Sequence, residues 1–418
     1  MSLHFQETLV DGGGPQDFPT VRHLVLQGSN YEIGKHLAEI VMERYGKRKR
    51  PSGDPRLIQA RRLYFQQHYP ILLERARGVA DAFGISLDDN TSDQASLTYP
   101  AFLPPQIVGC SVVFYPPQTT TNAHGLLSRN CDAQTGSMLE MLGVPVPPGV
   151  QLKPTYSEPY VMEVYPDIGY PSLYLACMDL LGACFDGVNS EGLTVSLLGD
   201  GDPSNTSPAD PMQLFRVGIN ELQVLRLLLD TCANVEEAQL ALLLNKQYHV
   251  MLSCHYLVAD RHGHSFVWEH ASGHNLEYIV EGPGSPQVVT NHPLHLTPSH
   301  SVAPERSEDR PAAWRGDSYQ RYRTLSQAIE AHPDKYSVDF LKETNACVFF
   351  DDAVEREYTN LTRLELLTTG RTLWHSVYDT QHRSLEVSFY LRDEPGAEET
   401  DPRIAIRSEY HRFQLNAV

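Results

Sequence analysis

The residue types best suited to chemistry in this sequence are a glycine and a cysteine at the start of an apolar run. Residues 109–115 read Gly-Cys-Ser-Val-Val-Phe-Tyr, and their β-branched and aromatic side chains predict a buried strand. Glycine tolerates a strained backbone and leaves its carbonyl group open to attack by the next residue. Attack by the thiol of Cys110 on the carbonyl carbon of Gly109 would cut the chain and leave an α-amino group on the residue that carries the nucleophile. The alternative is that Cys110 is a structural thiol of a buried strand.

Composition and charge limit the classes of protein to which the chain can belong. Its 418 residues are 41% hydrophobic and 20% charged, which is typical of a soluble globular protein with a sizeable core. The formal net charge of -19 argues against nucleic acids and anionic membrane surfaces as partners. The sequence shows no run of about 18 apolar residues and no signal peptide. We therefore expect neither a transmembrane helix nor secretion.

The cysteines and histidines suggest no metal site. The seven cysteines are dispersed without CxxC pairs, which is typical of reduced thiols in a cytoplasmic protein. Two groups of histidines have spacings that match no standard ligand set: His262, His264 and His270, and His292, His295 and His300. We expect no metal ion and no other cofactor.

The periodicity of the chain changes at Cys110. Before it, an irregular start (1–20) and a strand (21–26) precede a helical pattern from Pro55 to about Phe83, with a break at Pro70. After it, the predicted strands are 111–115, 126–132, 160–165, 172–178, 193–198, 255–260, 265–269, 288–290, 373–378 and 384–391, with a turn at 186–192. Helices are predicted as a pair between Met212 and about Leu244, at 318–331 and at 338–343. This order predicts an antiparallel α+β layered domain and not alternating βαβ units.

Four short motifs follow one another along the chain. They are Gly109-Cys110-Ser111, Ser128-Arg129-Asn130-Cys131-Asp132, Thr290-Asn291-His292 and Ser318-Tyr319-Gln320-Arg321. Together they resemble the N-terminal nucleophile (Ntn) hydrolases of the acyl-coenzyme A:6-aminopenicillanic acid acyltransferase (isopenicillin N acyltransferase)-like and choloylglycine hydrolase-like group. The long helical segment before Gly109 favours the acyltransferase-like branch, because choloylglycine hydrolases lack such a segment.

The resemblance implies a fold, a maturation step and a division of the chain. The fold would be α+β, a four-layer αββα sandwich of antiparallel sheets. Self-cleavage between Gly109 and Cys110 would separate a helical N-terminal pro-segment (1–109) from a catalytic domain (110–418). The thiol would be the nucleophile and the new α-amino group the proton acceptor. A free α-amino group has a pKa of about 7.7–8.0, so part of it is neutral near pH 7.

The resemblance also assigns roles to side chains around the thiol. Asp132 would hold the α-amino group, and Arg129 would favour the thiolate or grip the substrate. Asn291 would be a side-chain oxyanion donor, and Arg321 would be the family's structural or catalytic arginine. Residues 129 and 132 lie on opposite faces of a regular strand, so we expect a bulge or a strand end near Cys131 to aim both at the thiol.

The same side chains also have plain structural interpretations. Arg129 with Asp132 is typical of a surface ion pair. Asn291 is followed by His292-Pro293 and is typical of a turn, and Arg321 on a helix is typical of a solvated charge.

The chain departs from the family at positions near the expected pocket. Cys131 stands where a bulky apolar residue is common, and Ala133 where an aromatic residue often stands. A second oxyanion donor would lie near Gly199 or Asp200, where a backbone N–H could serve.

The leading interpretation is a cysteine amidohydrolase or acyltransferase that cleaves a linear amide bond of a small molecule through a thioester on Cys110. Water, an amine or coenzyme A would take or supply the acyl group. The alternatives are an aminopeptidase or dipeptidase on the same scaffold, and an inactive, unprocessed binding protein. We expect no nucleic acid or membrane partner, and a homo-oligomer remains open.

Overall fold

A computed structural model describes most of the chain. The described residues are 3–45, 54–97, 109–136, 153–154, 156–177, 179–200, 217–249, 254–271, 276–295, 312–350, 370–394 and 404–416. The start of the predicted helix at Met212 lies outside them.

Seven helices lie in the described residues. They are α1 (Asn30–Tyr45), α2 (Pro55–His68), α3 (Pro70–Phe83), α4 (Glu221–Thr231), α5 (Val235–Leu244), α6 (Ala312–Ala331) and α7 (Val338–Ala346). Pro55 and Pro70 each stand in the first turn of a helix, where a missing N–H costs nothing. The predicted break at Pro70 is confirmed. Gly84 ends α3 with a φ of 68°, the left-handed conformation that suits glycine.

The strands form two large sheets and a short parallel pair. The strands are β1 (His4–Gly12), β2 (Thr20–Gly28), β3 (Gly109–Tyr115), β4 (Leu126–Gln134), β5 (Tyr160–Pro166), β6 (Ser172–Ala176), β7 (Asp186–Asn189), β8 (Thr194–Gly199), β9 (Ile219–Asn220), β10 (Gln247–Tyr248), β11 (Cys254–Ala259), β12 (Ser265–Ala271), β13 (Leu276–Glu281), β14 (Gln287–Val289), β15 (Gly370–Asp379), β16 (Ser384–Glu394), β17 (Ile404–Arg407) and β18 (His411–Gln414). Sheet A has the order β1-β2-β5-β6-β7-β8-β11-β12-β13. Sheet B has the order β14-β3-β4-β15-β16-β17, with β18 paired to β16.

The layers are those of an αββα sandwich. Sheets A and B face each other, with β3 packed against β8. Helices α1 and α4 pack on the outer side of sheet A, α3 packs on α1, and α6 and α7 cover the outer side of sheet B. Pairing is antiparallel throughout the two sheets except between β2 and β5, which run parallel. The predicted α+β fold of antiparallel sheets in four layers is confirmed.

Two expectations about local structure are wrong. Residues 4–12 form a strand and not an irregular start, and residues 186–189 form β7 and not part of a turn. β1 is an edge strand whose side chains are largely exposed, so it carries no apolar pattern to read. β7 is short and fully buried, and its Asp-Gly start is a turn signal that the neighbouring strands β6 and β8 override.

The N-terminal segment contributes strands to the sandwich as well as helices. Strands β1 and β2 extend sheet A, and β2 pairs with β5 of the segment after Cys110. A buried ion pair adds to this contact, since Arg75 of α3 donates to the Asp230 carboxylate of α4 at 2.6 and 3.1 Å. Tyr69 donates to the same carboxylate at 2.6 Å, and Arg226 does so at 2.8 Å. A chain cut before Cys110 would keep these contacts, so we expect its two pieces to stay together.

The described helices include no candidate for a membrane span. In the ranges that the structure describes, none is both long enough and apolar enough to cross a bilayer.

Candidate active site

Strand β3 holds Cys110 inside the sandwich. Both faces of the strand are buried: Val112 and Phe114 contribute with Cys110 to the core between the sheets, while Val113 and Tyr115 face the core beneath α6 and α7. This double burial explains the continuous apolar run, and the alternation of side chains directs the thiol toward sheet A.

Glycine is required at position 109 because a larger side chain would not fit there, and not because of its backbone conformation. Its φ does not lie in the left-handed region, which removes the expected strained backbone. A Cβ atom at position 109 would lie 2.8 Å from the ring of Phe350 and 2.9 Å from both Cβ and Oδ2 of Asp132. The Asp132 side chain therefore lies against the Cα atom of Gly109, its partner across strands β3 and β4.

Arg129 contacts the thiol from the neighbouring strand β4. Its Nη2 lies 3.6 Å from Cys110 Sγ and donates to the carbonyl oxygen of Leu197 at 2.9 Å. Its Nη1 lies 3.4 Å from Oδ1 of Asp186, and both side chains are fully buried. The interpretation of Arg129 and Asp132 as a surface ion pair is wrong, because Arg129 pairs with Asp186 across the sheet interface.

Asp132 lies on the opposite face of β4, toward α6. Its Oδ1 accepts a hydrogen bond from Thr372 Oγ1 at 2.6 Å, and its Oδ2 lies 4.0 Å from Nη1 of Arg321. The expected irregularity is present as a register shift in β15, between Thr372 and Trp374, opposite Cys131 and Asp132. It does not turn Asp132 toward the thiol; the carboxylate instead lies beside Gly109.

Asn291 and Arg321 hold the backbone of Cys110. Asn291 Oδ1 accepts the N–H of Cys110 at 2.8 Å and Nη2 of Arg321 at 2.7 Å. Arg321 Nη1 donates to the carbonyl oxygen of Cys110 and, at 2.8 Å, to Ser111 Oγ. Arg321 is only 4% exposed, so it is not a solvated charge. The amide nitrogen of Asn291 donates to the carbonyl oxygen of Gly199 at 2.7 Å. In the uncut chain Asn291 thus acts on Cys110 as an acceptor.

The surroundings of the Cys110 thiol favour its protonated form. Burial raises the pKa of Cys110, and Asp132 adds to the rise, whereas Arg129, the backbone N–H of Gly199 and Arg321 oppose it without reversing it. This effect of Gly199 indicates that its backbone N–H lies near the thiol, where the sequence predicts a second oxyanion donor. A base is therefore needed to activate Cys110.

Cys110 borders a small enclosed cavity between the sheets. The space admits about one water molecule, and its walls are almost entirely apolar. The lining residues are Cys110, Arg129, Cys131, Ala133, Tyr156, Phe185, Leu197, Glu221, Leu222 and Cys254. The departures from the family at 131 and 133 are thus both in the wall of this cavity.

The sequence does not predict the buried groups that support these side chains. Asp186, which anchors Arg129, also accepts from Ser376 and lies 3.4 Å from the indole nitrogen of Trp374. Its position in an Asp-Gly pair suggested a turn. Glu269 accepts the backbone N–H groups of Leu294 at 2.6 Å and of His295 at 3.0 Å, which fixes the segment that follows Asn291.

A buried histidine completes that support and makes it sensitive to pH. His255 lies 3.6 Å from Glu269 and 2.7 Å from the carbonyl oxygen of Thr290. Burial lowers the pKa of His255, but Glu269 and then Asp200 outweigh this effect and raise it above 6.5. Burial raises the pKa of Glu269, but His255 and the two backbone N–H groups lower it to about 2.

We expect this pair to stabilise the fold most strongly between about pH 4.5 and 6.5. The Glu269 contribution is present above its unfolded pKa and is lost as the pH falls toward 2, while the His255 contribution is lost as the pH rises above 6.5 through its folded pKa. The Glu269 contribution to the free energy of unfolding is at most on the order of 3 kcal/mol. Melting temperatures measured across this range should fall on both sides in the wild type and flatten in Glu269→Gln. Parallel curves for the two proteins would contradict the assignment.

The chain also matches a known protein family. A profile described as acyl-coenzyme A:6-aminopenicillanic acid acyl-transferase matches residues 121–393, well over half of the sequence. The chain belongs to this acyltransferase family. The matched range contains Arg129, Asp132, Asn291 and Arg321 but begins after Cys110. The assignment of the nucleophile in this acyltransferase-family chain therefore depends on the geometry above.

Several solved structures resemble the acyltransferase-family chain at low identity. Penicillin V acylase from Agrobacterium tumefaciens is 17% identical with a TM-score of 0.40, over 67% of this chain and 83% of its own. A mutant of conjugated bile acid hydrolase from Clostridium perfringens is 13% identical with a TM-score of 0.45, over 74% and 97%. The Caenorhabditis elegans ortholog of N-acylethanolamine-hydrolyzing acid amidase is 13% identical with a TM-score of 0.33, over 65% and 92%. No curated protein sequence matches the chain. At these identities and scores, the likenesses say nothing about substrate.

Proposed function

We propose that the protein is a cysteine amidohydrolase or acyltransferase that matures by cutting itself before Cys110 and then cleaves a linear amide bond. The observation that supports this proposal most strongly is that several groups surround one residue, Cys110. Asn291 and Arg321 hold the backbone of Cys110, Arg129 and Gly199 contact its thiol, and Asp132 lies beside Gly109, the residue before Cys110.

The maturation step is an acyl shift followed by hydrolysis. Sγ of Cys110 bonds to the carbonyl carbon of Gly109, the C–N bond breaks, and the thiol proton moves to the leaving nitrogen. Water then hydrolyses the thioester, which yields a carboxylate on Gly109 and a free thiol and α-amino group on Cys110. Asp132 is the charged group placed against Gly109, and in this proposal it directs the proton transfer and afterwards holds the new amino group.

Turnover uses the same groups on a substrate amide. The neutral α-amino group takes the thiol proton, the thiolate attacks the substrate carbonyl, and the amine leaves with that proton. The acyl group remains on Cys110 as a thioester until water, another amine or coenzyme A accepts it. The backbone N–H of Gly199 and the amide of Asn291, once freed from Gly199, supply the oxyanion donors.

The cavity favours an apolar acyl group. Its lining at the thiol consists mostly of aromatic, aliphatic and thiol side chains, with Arg129 and Glu221 as the charged members. The space must widen to admit an acyl group, because it now accepts about one water molecule. We propose a small-molecule acyl amide as the substrate, a coenzyme A thioester as the alternative acyl partner, and a cytoplasmic location.

The test is to trap the thioester. The purified protein is incubated with a panel of N-acyl amino acids, penicillins, N-acyl-homoserine lactones and conjugated bile salts, quenched in acid, and measured by intact mass and peptide mapping. We expect at least one acyl adduct on Cys110, and added amines or coenzyme A will show whether transfer competes with hydrolysis. Release of amine from unblocked dipeptides alone would instead favour a peptidase. No turnover of any amide by cut protein would contradict the proposal.

Asn291 offers a prediction that separates its acceptor and donor roles. Asn291→Asp keeps the oxygen that accepts from Cys110 and Arg321 but removes the amide donor, whereas Asn291→Ala removes both. We expect both variants to lose on the order of 10²–10³ in kcat, as removal of an oxyanion donor does. Cleavage before Cys110 should be slower in Asn291→Ala than in Asn291→Asp. Near-normal kcat in a correctly cut Asn291→Asp variant would show that the amide of Asn291 is not an oxyanion donor.

A further inference from the structure

Two histidines and an aspartate meet at the end of sheet B farthest from the thiol. Oδ2 of Asp379 lies 2.8 Å from Nδ1 of His124 and 3.1 Å from Nδ1 of His382. The three ligand atoms lie within 4.8 Å of one another. Asp379 and His382 lie in one turn, and His124 reaches them because β4 pairs with β15.

We propose that His124, Asp379 and His382 bind a divalent transition-metal ion of the zinc class. Zn²⁺ takes imidazole nitrogen and carboxylate oxygen at about 2.0–2.2 Å, which places tetrahedral donor atoms roughly 3.3 Å apart. The two nitrogen-to-oxygen distances are close to this separation already. A water molecule would supply the fourth ligand, since the side chains of His124, Asp379 and His382 are 22%, 13% and 53% exposed.

The carboxylate is already oriented for such a role. Its other oxygen, Oδ1, accepts the backbone N–H groups of Gln381 at 3.0 Å and His382 at 2.9 Å. These bonds fix the Asp379 carboxylate at the turn and direct its Oδ2 toward the two imidazoles. Orientation of a ligand by such outer hydrogen bonds is characteristic of metal sites.

The two turns that carry the ligands are also held together. Thr380 donates its backbone N–H to the carbonyl oxygen of Gly125 at 3.0 Å, and the Gly125 N–H donates to Oε1 of Gln381 at 2.9 Å. The site therefore joins the loop before β4 to the turn between β15 and β16. Leu126 stands five residues along β4 from Cys131, the partner of Cys110, so the site lies about 17 Å or more from the thiol. Its role is a clamp on sheet B and not part of the catalytic chemistry.

The experiment is a calorimetric titration of the full chain with Zn²⁺ after removal of metal by a chelator, with Mg²⁺ as a comparison ion. We expect one Zn²⁺ per chain, no heat from Mg²⁺, and a melting temperature that rises by a few degrees with Zn²⁺. His382→Gln should weaken Zn²⁺ binding at least tenfold and abolish the rise. This variant changes an exposed side chain, so we expect it to fold.

A matched control excludes general binding to surface histidines and thiols. His264 is 65% exposed in a neighbouring turn and pairs with Asp260 at 3.4 Å, so His264→Gln should bind Zn²⁺ as the wild type does. The absorption spectrum of Co²⁺ in place of Zn²⁺ should lack a sulfur charge-transfer band, which ligation by the exposed Cys347 would add. Absence of saturable Zn²⁺ binding, unchanged binding in His382→Gln, or a sulfur band would overturn the proposal.

Discussion

Cys110→Ala will remain a single polypeptide and will lose essentially all amidase or transferase activity. The substitution removes the atom that attacks both the Gly109 carbonyl and the substrate, so neither maturation nor turnover can proceed through a thioester. Removal of a hydrolase nucleophile costs on the order of 10⁶ in kcat. The measurement is intact mass together with turnover of the best amide from the substrate panel.

A second buried cysteine provides the control for this loss. Cys184 is fully buried but lies outside the cavity lining, so Cys184→Ala removes the same volume without touching the proposed chemistry. We expect Cys184→Ala to be cut and to turn over normally. If Cys110→Ala were cut at the same bond, or both variants lost activity alike, Cys110 would not be the nucleophile.

Arg129→Ala will destabilise the fold strongly as well as impair catalysis. Arg129 and Asp186 are both fully buried, and removal of one partner leaves an uncompensated charge between the sheets. Breaking a buried pair in this way costs about 3–5 kcal/mol. The free energy of unfolding should fall by that amount, whereas Arg77→Ala, which breaks the exposed pair with Glu74, should cost at most about 1 kcal/mol.

A double variant separates the structural from the catalytic role of Arg129. Arg129→Met with Asp186→Asn removes both buried charges, so it should recover part of the lost stability. It should not recover turnover, because the guanidinium contact with the thiol is still absent. A stable and fully active double variant would leave Arg129 with a structural role alone.

Asp132→Asn should retain its bond from Thr372 and most of its stability, yet lose about a hundredfold in turnover through a misplaced amino group.

The sequence predicts well those features whose cause is local. Strand β3 follows from the apolar run after Cys110, and Pro70 marks the boundary between α2 and α3 because proline suits only the first turn of a helix. The fold also brings the motif residues Cys110, Arg129, Asn291 and Arg321 into contact.

Features that depend on remote partners could not be predicted in this way. Arg129 pairs with Asp186 only because two sheets face each other, and no spacing in the sequence encodes that contact. The need for glycine at 109 arises from Asp132 and Phe350, which occupy the space of its missing Cβ. The acceptor role of Asn291 depends on Gly199, which binds its amide nitrogen. Each of these contacts depends on how side chains of separate strands and helices are oriented toward one another.

The most direct test of the central claim is the intact mass and N-terminal sequence of purified, active wild-type protein. We expect two co-purifying pieces, residues 1–109 and residues 110–418, with the larger piece beginning Cys-Ser-Val. The shared sheet A and the buried Arg75–Asp230 pair should keep them together under native conditions. An active preparation that shows only the full-length mass would contradict self-cleavage before Cys110.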